Sequence, residues 1–185
     1  HQIQLKIPRP LTFLDSVRHW EYVAFDANCF PPLHELPLRP KSTTHDGNVL
    51  LLDGGCASGK STRVREFVHD RLLEEEPRAR VLFVAANQLY AKNLSSELAP
   101  QFKDVVCYLD AARDTKISAQ FVVCTLESVH RLSSAPFHLI VLDKVRSIAG
   151  LLGGETLPLT QWPLQNVLRS ATYMIACDAH VRVDD

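Results

Sequence analysis

Val49-Leu50-Leu51-Leu52-Asp53-Gly54-Gly55-Cys56-Ala57-Ser58-Gly59-Lys60-Ser61-Thr62 is the stretch whose reading decides the fold. The apolar run Val49 to Leu52 predicts a strand, and the apolar spacing beyond Lys60 predicts a helix. Between them, Gly54-x-x-x-x-Gly59-Lys60-Ser61 matches the Walker A pattern in its expected strand-to-helix setting. Glycines let the backbone turn tightly enough for successive N–H groups to surround phosphate oxygens, and a helix N-terminus adds partial positive charge. Gly54, Gly55, Cys56, Ala57, Ser58, Gly59, Lys60, Ser61 and Thr62 are therefore the candidate nucleotide-binding residues. Lys60 suits the β- and γ-phosphates of ATP as a point charge, and the Ser61 hydroxyl suits Mg²⁺. A glycine-rich turn with an incidental Lys-Ser is the bland alternative, which the flanking strand and helix disfavour. Cys56 reads as a small loop filler rather than a reactive thiol.

Outward from this loop, short apolar runs alternate with helical patterns, the sequence texture of βαβ units and an α/β parallel sheet. Strands are expected at Val49 to Leu52, Val81 to Ala85, Val105 to Tyr108, Phe121 to Cys124, Leu139 to Leu142 and Tyr173 to Ala176. Helices are expected at about 60–75, 88–98, 126–132, 145–152 and 160–170. Glu74-Glu75-Glu76 before Pro77 reads as a solvated helix end. Residues 1–47 hold most of the prolines and read as an irregular lead-in with a short helix near Leu14 to Trp20, so the P-loop domain is placed at 48–185.

The 185 residues, 46% hydrophobic, suffice for one substantial core. A formal net charge of −1 argues against a dedicated basic nucleic-acid module, so any contact with DNA or RNA must use a local surface. Five widely spaced cysteines without a C-x-x-C pair suggest neither a disulfide framework nor a zinc site. The histidines are scattered, with His130 and His138 lacking ligand spacing, and Trp20 and Trp162 read as packing residues. The sequence has no apolar run long enough to span a membrane, no membrane partner is expected, and the start lacks signal-peptide order. An intracellular, reducing compartment is expected, the nucleus included. From His1 to Asp185 the sequence also reads as a piece of something longer.

A P-loop needs an acidic strand end to hold its metal, and His138-Leu139-Ile140-Val141-Leu142-Asp143 supplies one. Asp143 is the Walker B candidate, with Ser61 the other Mg²⁺ ligand. In helicase-type motors the next residue is usually a Glu that polarises the attacking water. Here it is Lys144, and an ammonium does not accept a proton at neutral pH. Asp143 and Lys144 thus mark the catalytic position with hydrolysis expected to be impaired, by about 10² to 10⁴ in rate. Glu155 and Asp178 are further acids, and the sequence places neither at the water.

Four segments recur in order: Gly54 to Thr62, Val84-Ala85-Ala86-Asn87-Gln88, Cys124-Thr125-Leu126-Glu127-Ser128 and Val141-Leu142-Asp143-Lys144-Val145-Arg146-Ser147. In this the chain, over about 48–183, resembles the first RecA-like lobe of a superfamily-2 helicase. More narrowly it resembles the herpesvirus-type replication origin-binding proteins. The resemblance implies a RecA-like parallel sheet with helices on both faces, ATP and Mg²⁺ as cofactors, and DNA as partner, as a single strand or a replication origin. It implies that Asn87, Gln88, Thr125, Glu127 and Ser128 line the track of a strand's backbone, and that Asp178 couples nucleotide state to that track. His180 stands where the family pattern resembles Asp-Ala-Asp, a second departure. A second RecA-like lobe, absent from this chain, would complete the site. Asn, Thr and Ser at strand-to-helix junctions are also ordinary caps, which is the competing reading for Asn87, Thr125 and Ser128.

Three functions remain open on sequence grounds. The first is an ATP-binding motor lobe of a DNA helicase. The second is a non-catalytic ATP-binding or structural module of the same fold, as Lys144 suggests. The third is a small-molecule kinase, disfavoured because the only candidate for an arginine-rich lid, around Arg63-Val64-Arg65, belongs to the P-loop helix.

Overall fold

In a computed structural model, residues 19–24, 48–53, 59–152, 164, 166–168 and 170–178 are described. Seven strands form one sheet: β1 (His19–Ala24), β2 (Asn48–Asp53), β3 (Val81–Ala85), β4 (Val105–Cys107), β5 (Phe121–Thr125), β6 (Leu139–Asp143) and β7 (Tyr173–Asp178). Their order is β1-β2-β7-β6-β3-β5-β4, and every pairing is parallel. β3 and β5 are buried at every residue, and Leu139 to Leu142 and Met174 to Cys177 are equally covered. Consecutive burial means that both faces of the sheet are covered, which is why these strands read as unbroken apolar runs. Each such Val, Leu or Ile contributes roughly 1.5–3 kcal/mol by leaving water.

The helix after Gly59 begins as α1 (Lys60–Phe67), widens into a π-helical segment (Val68–Leu72) and closes with α2 (Leu73–Glu75). Val64, Phe67, Val68 and Leu72 are its buried positions, as their spacing predicts. Phe67 meets Tyr173 of β7 edge-on, with ring centroids 5.8 Å apart. Glu74, Glu75 and Glu76 are exposed. α3 (Gln88–Leu98) packs against β3, β4 and β5 through Ala91, Leu94 and Leu98. α4 (Val145–Leu152) packs against β6 and β7. Helical residues at 164, 166–168 and 170 fall inside the expected last helix, whose first residues lie outside the described set.

Two expectations are corrected. The lead-in contains a strand: His19 and Trp20, expected in a short helix, lie in β1, which pairs residue for residue with β2. Partnership with an adjacent strand overrides local helical spacing, because a parallel edge satisfies backbone groups that an isolated short helix leaves to water. Leu14 and the rest of that helix lie outside the described residues. The helix expected at 126–132 is a 3₁₀ segment, Leu126–Arg131. The Arg131 guanidinium donates to the carbonyls of Tyr108, Ala111 and Ala112, and Leu132 bridges to Ile117. That anchorage ends the segment after two tight turns.

At the opposite end of the strands, Arg80 ties three loops together. Its guanidinium donates to Ala119 O, Ala135 O and Ser133 Oγ and lies 4.3 Å from the Phe137 ring centroid.

Candidate nucleotide and metal site

The parallel register brings the acidic strand ends to one edge. Asp53 lies opposite Asp178, and Asp143 lies opposite Cys177. Above that edge α1 starts from Gly59, whose φ of 85° lies in the left-handed region that favours glycine. Lys60 and Ser61 are the first residues of α1, and the Gly59 carbonyl accepts from Arg63 N at 2.9 Å. Gly54, Gly55, Cys56, Ala57 and Ser58 lie outside the described residues, as do Glu155 and His180. Thr62 is exposed, and its hydroxyl accepts from Arg65 at 3.3 Å.

Ser61 and Asp143 line one small cavity together with Arg65, Glu97 and Cys177. The Cys177 thiol registers its surroundings: burial pushes its pKa up, Asp143 adds to the rise, and Lys60 opposes it. Ser61 and Asp143 thus share this cavity, and Lys60 precedes Ser61 at the start of α1. The rest of the cavity wall is largely apolar, and Ser61 and Asp143 are the oxygen-bearing residue types that suit Mg²⁺, which needs few ligands from the protein, since water and phosphate supply the rest.

Asp143 has a partner that sequence reasoning missed. The Tyr90 hydroxyl, from the first turn of α3, donates to Asp143 Oδ2 at 2.6 Å. Burial first, and then the Asp143 carboxylate, push the Tyr90 phenol well above its ordinary pKa, so the hydroxyl stays a donor. Lys144 has φ 61° and is exposed, and its Nζ lies 4.1 Å from the centroid of the same Tyr90 ring. The ammonium is thus drawn onto an aromatic face. Asp178 turns toward α4, where Oδ2 accepts from Arg146 N at 2.7 Å. That bond satisfies one of the orphan donors in the first turn of α4.

The segments implied to line a strand's backbone divide by accessibility. Asn87 caps α3, its Oδ1 accepting from Tyr90 N at 2.9 Å, while Gln88 is exposed. Thr125 and Ser128 are buried, with their hydroxyls 3.4 Å apart, and Glu127 is the exposed member of that group. The capping role weighed for Asn87 is present in full. Thr125 and Ser128 satisfy each other inside the fold. Among the described residues, no group of three or more His, Cys, Asp and Glu gathers as a metal cluster, and no helix is long and apolar enough to cross a membrane.

The parallel sheet, the glycine-started helix and the acidic strand ends define an α/β fold of the P-loop NTPase type, in its RecA-like form. The chain is similar to the Sulfolobus solfataricus SWI2/SNF2 ATPase core solved with double-stranded DNA, at 17% identity and a TM-score of 0.54. That match covers 80% of this chain and 29% of the other. It is also similar to a Saccharomyces cerevisiae Dbp5 variant bound to Nup159, a Gle1 variant, IP6 and ADP, at 15% identity and a TM-score of 0.55. Here 82% of this chain and 42% of that one are covered, so the chain spans less than half the length of either structure. No protein-family model matches the sequence, and no curated protein does.

Proposed function

We propose that this chain is the nucleotide-binding first lobe of a superfamily-2 helicase-type motor, binding ATP with Mg²⁺ and acting on DNA together with a second RecA-like lobe. The observation that carries the reading is that Ser61, next to Lys60 at the start of α1, shares a cavity with Asp143 at the carboxyl edge of a parallel sheet. In α/β sheets of this kind ligands bind outside the carboxyl ends of the strands. Lys60 would neutralise the β- and γ-phosphates, and Ser61 and Asp143 would hold the cation. When bound, Mg²⁺ supplies charge neutralisation at the transferring phosphoryl group. An origin-binding role rests on the motif resemblance alone. Localisation inside the cell, the nucleus included, goes with that reading.

Lys144 favours a second reading, in which the lobe binds nucleotide without turning it over. Its ammonium lies on the Tyr90 ring and has no lone pair to take a proton from water. One experiment tests both. Fluorescent ATP is titrated with and without Mg²⁺, and phosphate release is followed in a protein that carries both lobes. Mg²⁺-strengthened binding with phosphate release supports the motor, and the same binding without release supports the non-catalytic lobe. Absence of nucleotide binding overturns both.

A further inference from the structure

Tyr90 belongs to none of the nucleotide-binding motifs, yet it makes three separate connections at the carboxyl edge. Its backbone N–H is capped by Asn87, its hydroxyl donates to Asp143 Oδ2, and its ring carries the Lys144 ammonium. Tyr90 and Asp143 lie 53 residues apart, on α3 and at the end of β6. A carboxylate that ends a strand has rotational freedom unless a second group fixes it. The phenol is that group, rigid on two torsions and seated on a helix whose own start is pinned by a cap. A carboxylate held by one oxygen keeps its other oxygen turned to one direction, and ligands so fixed bind metal more tightly than free ones. Asp143 and Ser61 line the same small cavity at this edge.

We infer that Tyr90 is a positioning residue for a divalent cation: its hydroxyl holds Asp143 Oδ2 so that the carboxylate meets the cation together with Ser61, while its ring keeps the Lys144 ammonium off that carboxylate. The inference rests on the nucleotide-binding reading of the site and adds to it a residue outside the phosphate loop and the acidic strand end. Both interactions use one side chain, so the position that carries the unusual lysine and the position that holds the metal are linked through α3.

The test uses the whole chain and fluorescent ADP, with Mg²⁺ as the varied ion. Three proteins are compared: wild type, Tyr90→Phe and Tyr90→Leu. Tyr90→Phe keeps the ring and its cation contact and removes only the hydroxyl, so a packing role alone spares it. Melting by circular dichroism confirms that each variant is folded. The expected result is an Mg²⁺ half-saturation point raised about tenfold in Tyr90→Phe, the lower end of the effect of removing such an outer partner, with ADP affinity in EDTA unchanged. Tyr90→Leu, which frees the lysine as well, shifts it at least as far. A folded Tyr90→Phe with the wild-type Mg²⁺ midpoint overturns the inference and leaves the nucleotide reading standing. A wild-type protein that takes up no ADP at any Mg²⁺ concentration overturns both.

Discussion

Asp178, at the end of β7, accepts the backbone N–H of Arg146 in the first turn of α4, 2.7 Å away across 32 residues of sequence. The bond joins β7 to the helix that follows Asp143, so one carboxylate sets the direction in which the chain leaves β6. Replacing a side-chain oxygen that caps a helix by alanine costs about 1 kcal/mol. Asp178→Ala is expected to lose about that much in urea denaturation, with the transition still cooperative. An unchanged midpoint would show that the contact adds nothing to stability.

Lys60→Met tests the phosphate contact. A hydrogen bond to a charged group contributes about 1.5–3 kcal/mol. Fluorescent ATP should therefore bind about 10- to 100-fold more weakly, at 1.4 kcal/mol for each factor of ten. The thermal midpoint should stay close to wild type. Equal ATP affinity in the two proteins would remove Lys60 from the site.

Lys144→Glu tests the catalytic position. In a protein carrying both lobes, phosphate release should rise by about 10² or more if a missing base is the main defect. The same change sets a carboxylate against the negative face of Tyr90 and forfeits a cation–π contact of about 0.5–1 kcal/mol at an exposed site. A small loss in stability alongside a gain in turnover is the expected signature. Unchanged turnover, with nucleotide still bound, would mean that the lysine is not what limits hydrolysis.

Arg80→Met keeps the aliphatic stem and removes every guanidinium bond. The carbonyls of Ala119 and Ala135 and the Ser133 hydroxyl all lose a donor. Destabilisation of about 2–4 kcal/mol is expected from hydrogen bonds of this kind. Urea denaturation reads it directly, and a change under about 0.5 kcal/mol, the range of ordinary surface substitutions, would refute the stapling role.

Burial pushes the Cys124 thiol up from its ordinary 9.0 to about 12, with Cys107 and Glu127 adding to the rise. Above pH 9 the unfolded thiol ionises while the folded one stays protonated, so the unfolded state releases the proton first. The contribution of Cys124 is complete below pH 9 and is lost as pH climbs toward about 12. The stability margin of wild type over Cys124→Ala should narrow across that window. A margin that is flat or widens would contradict the assignment.

Much of this fold was legible because parallel strands covered on both faces must be apolar at every position. The runs at Val81 to Ala85 and Leu139 to Asp143 announce themselves, and the helix at Gln88 to Leu98 follows from its cap and spacing. His19–Ala24 was not legible, since HWEYVA is mixed in character and becomes a strand only by pairing with residues 48–53. Of the candidate site, Lys60, Ser61 and Asp143 were readable from motif spacing. Tyr90 was not, for its role depends on α3 lying beside β6, and a tyrosine three residues after a capping asparagine resembles any helical aromatic. Thr125 and Ser128 were expected to line a strand's backbone, and sequence alone does not distinguish a hydroxyl facing solvent from two buried hydroxyls facing each other.

The sheet order carries a consequence for how the protein is made. β7 comes last in sequence among the described strands, yet it lies between β2 and β6. As the polypeptide leaves the ribosome, β1 and β2 form one fragment and β6, β3, β5 and β4 form another, and among the described residues the strand pairings that join them wait for residues 173–178. The long wait for a non-local partner makes assembly slow and leaves apolar edges open meanwhile. A nascent chain halted before Tyr173 is therefore a natural client for a chaperone that shields strand edges.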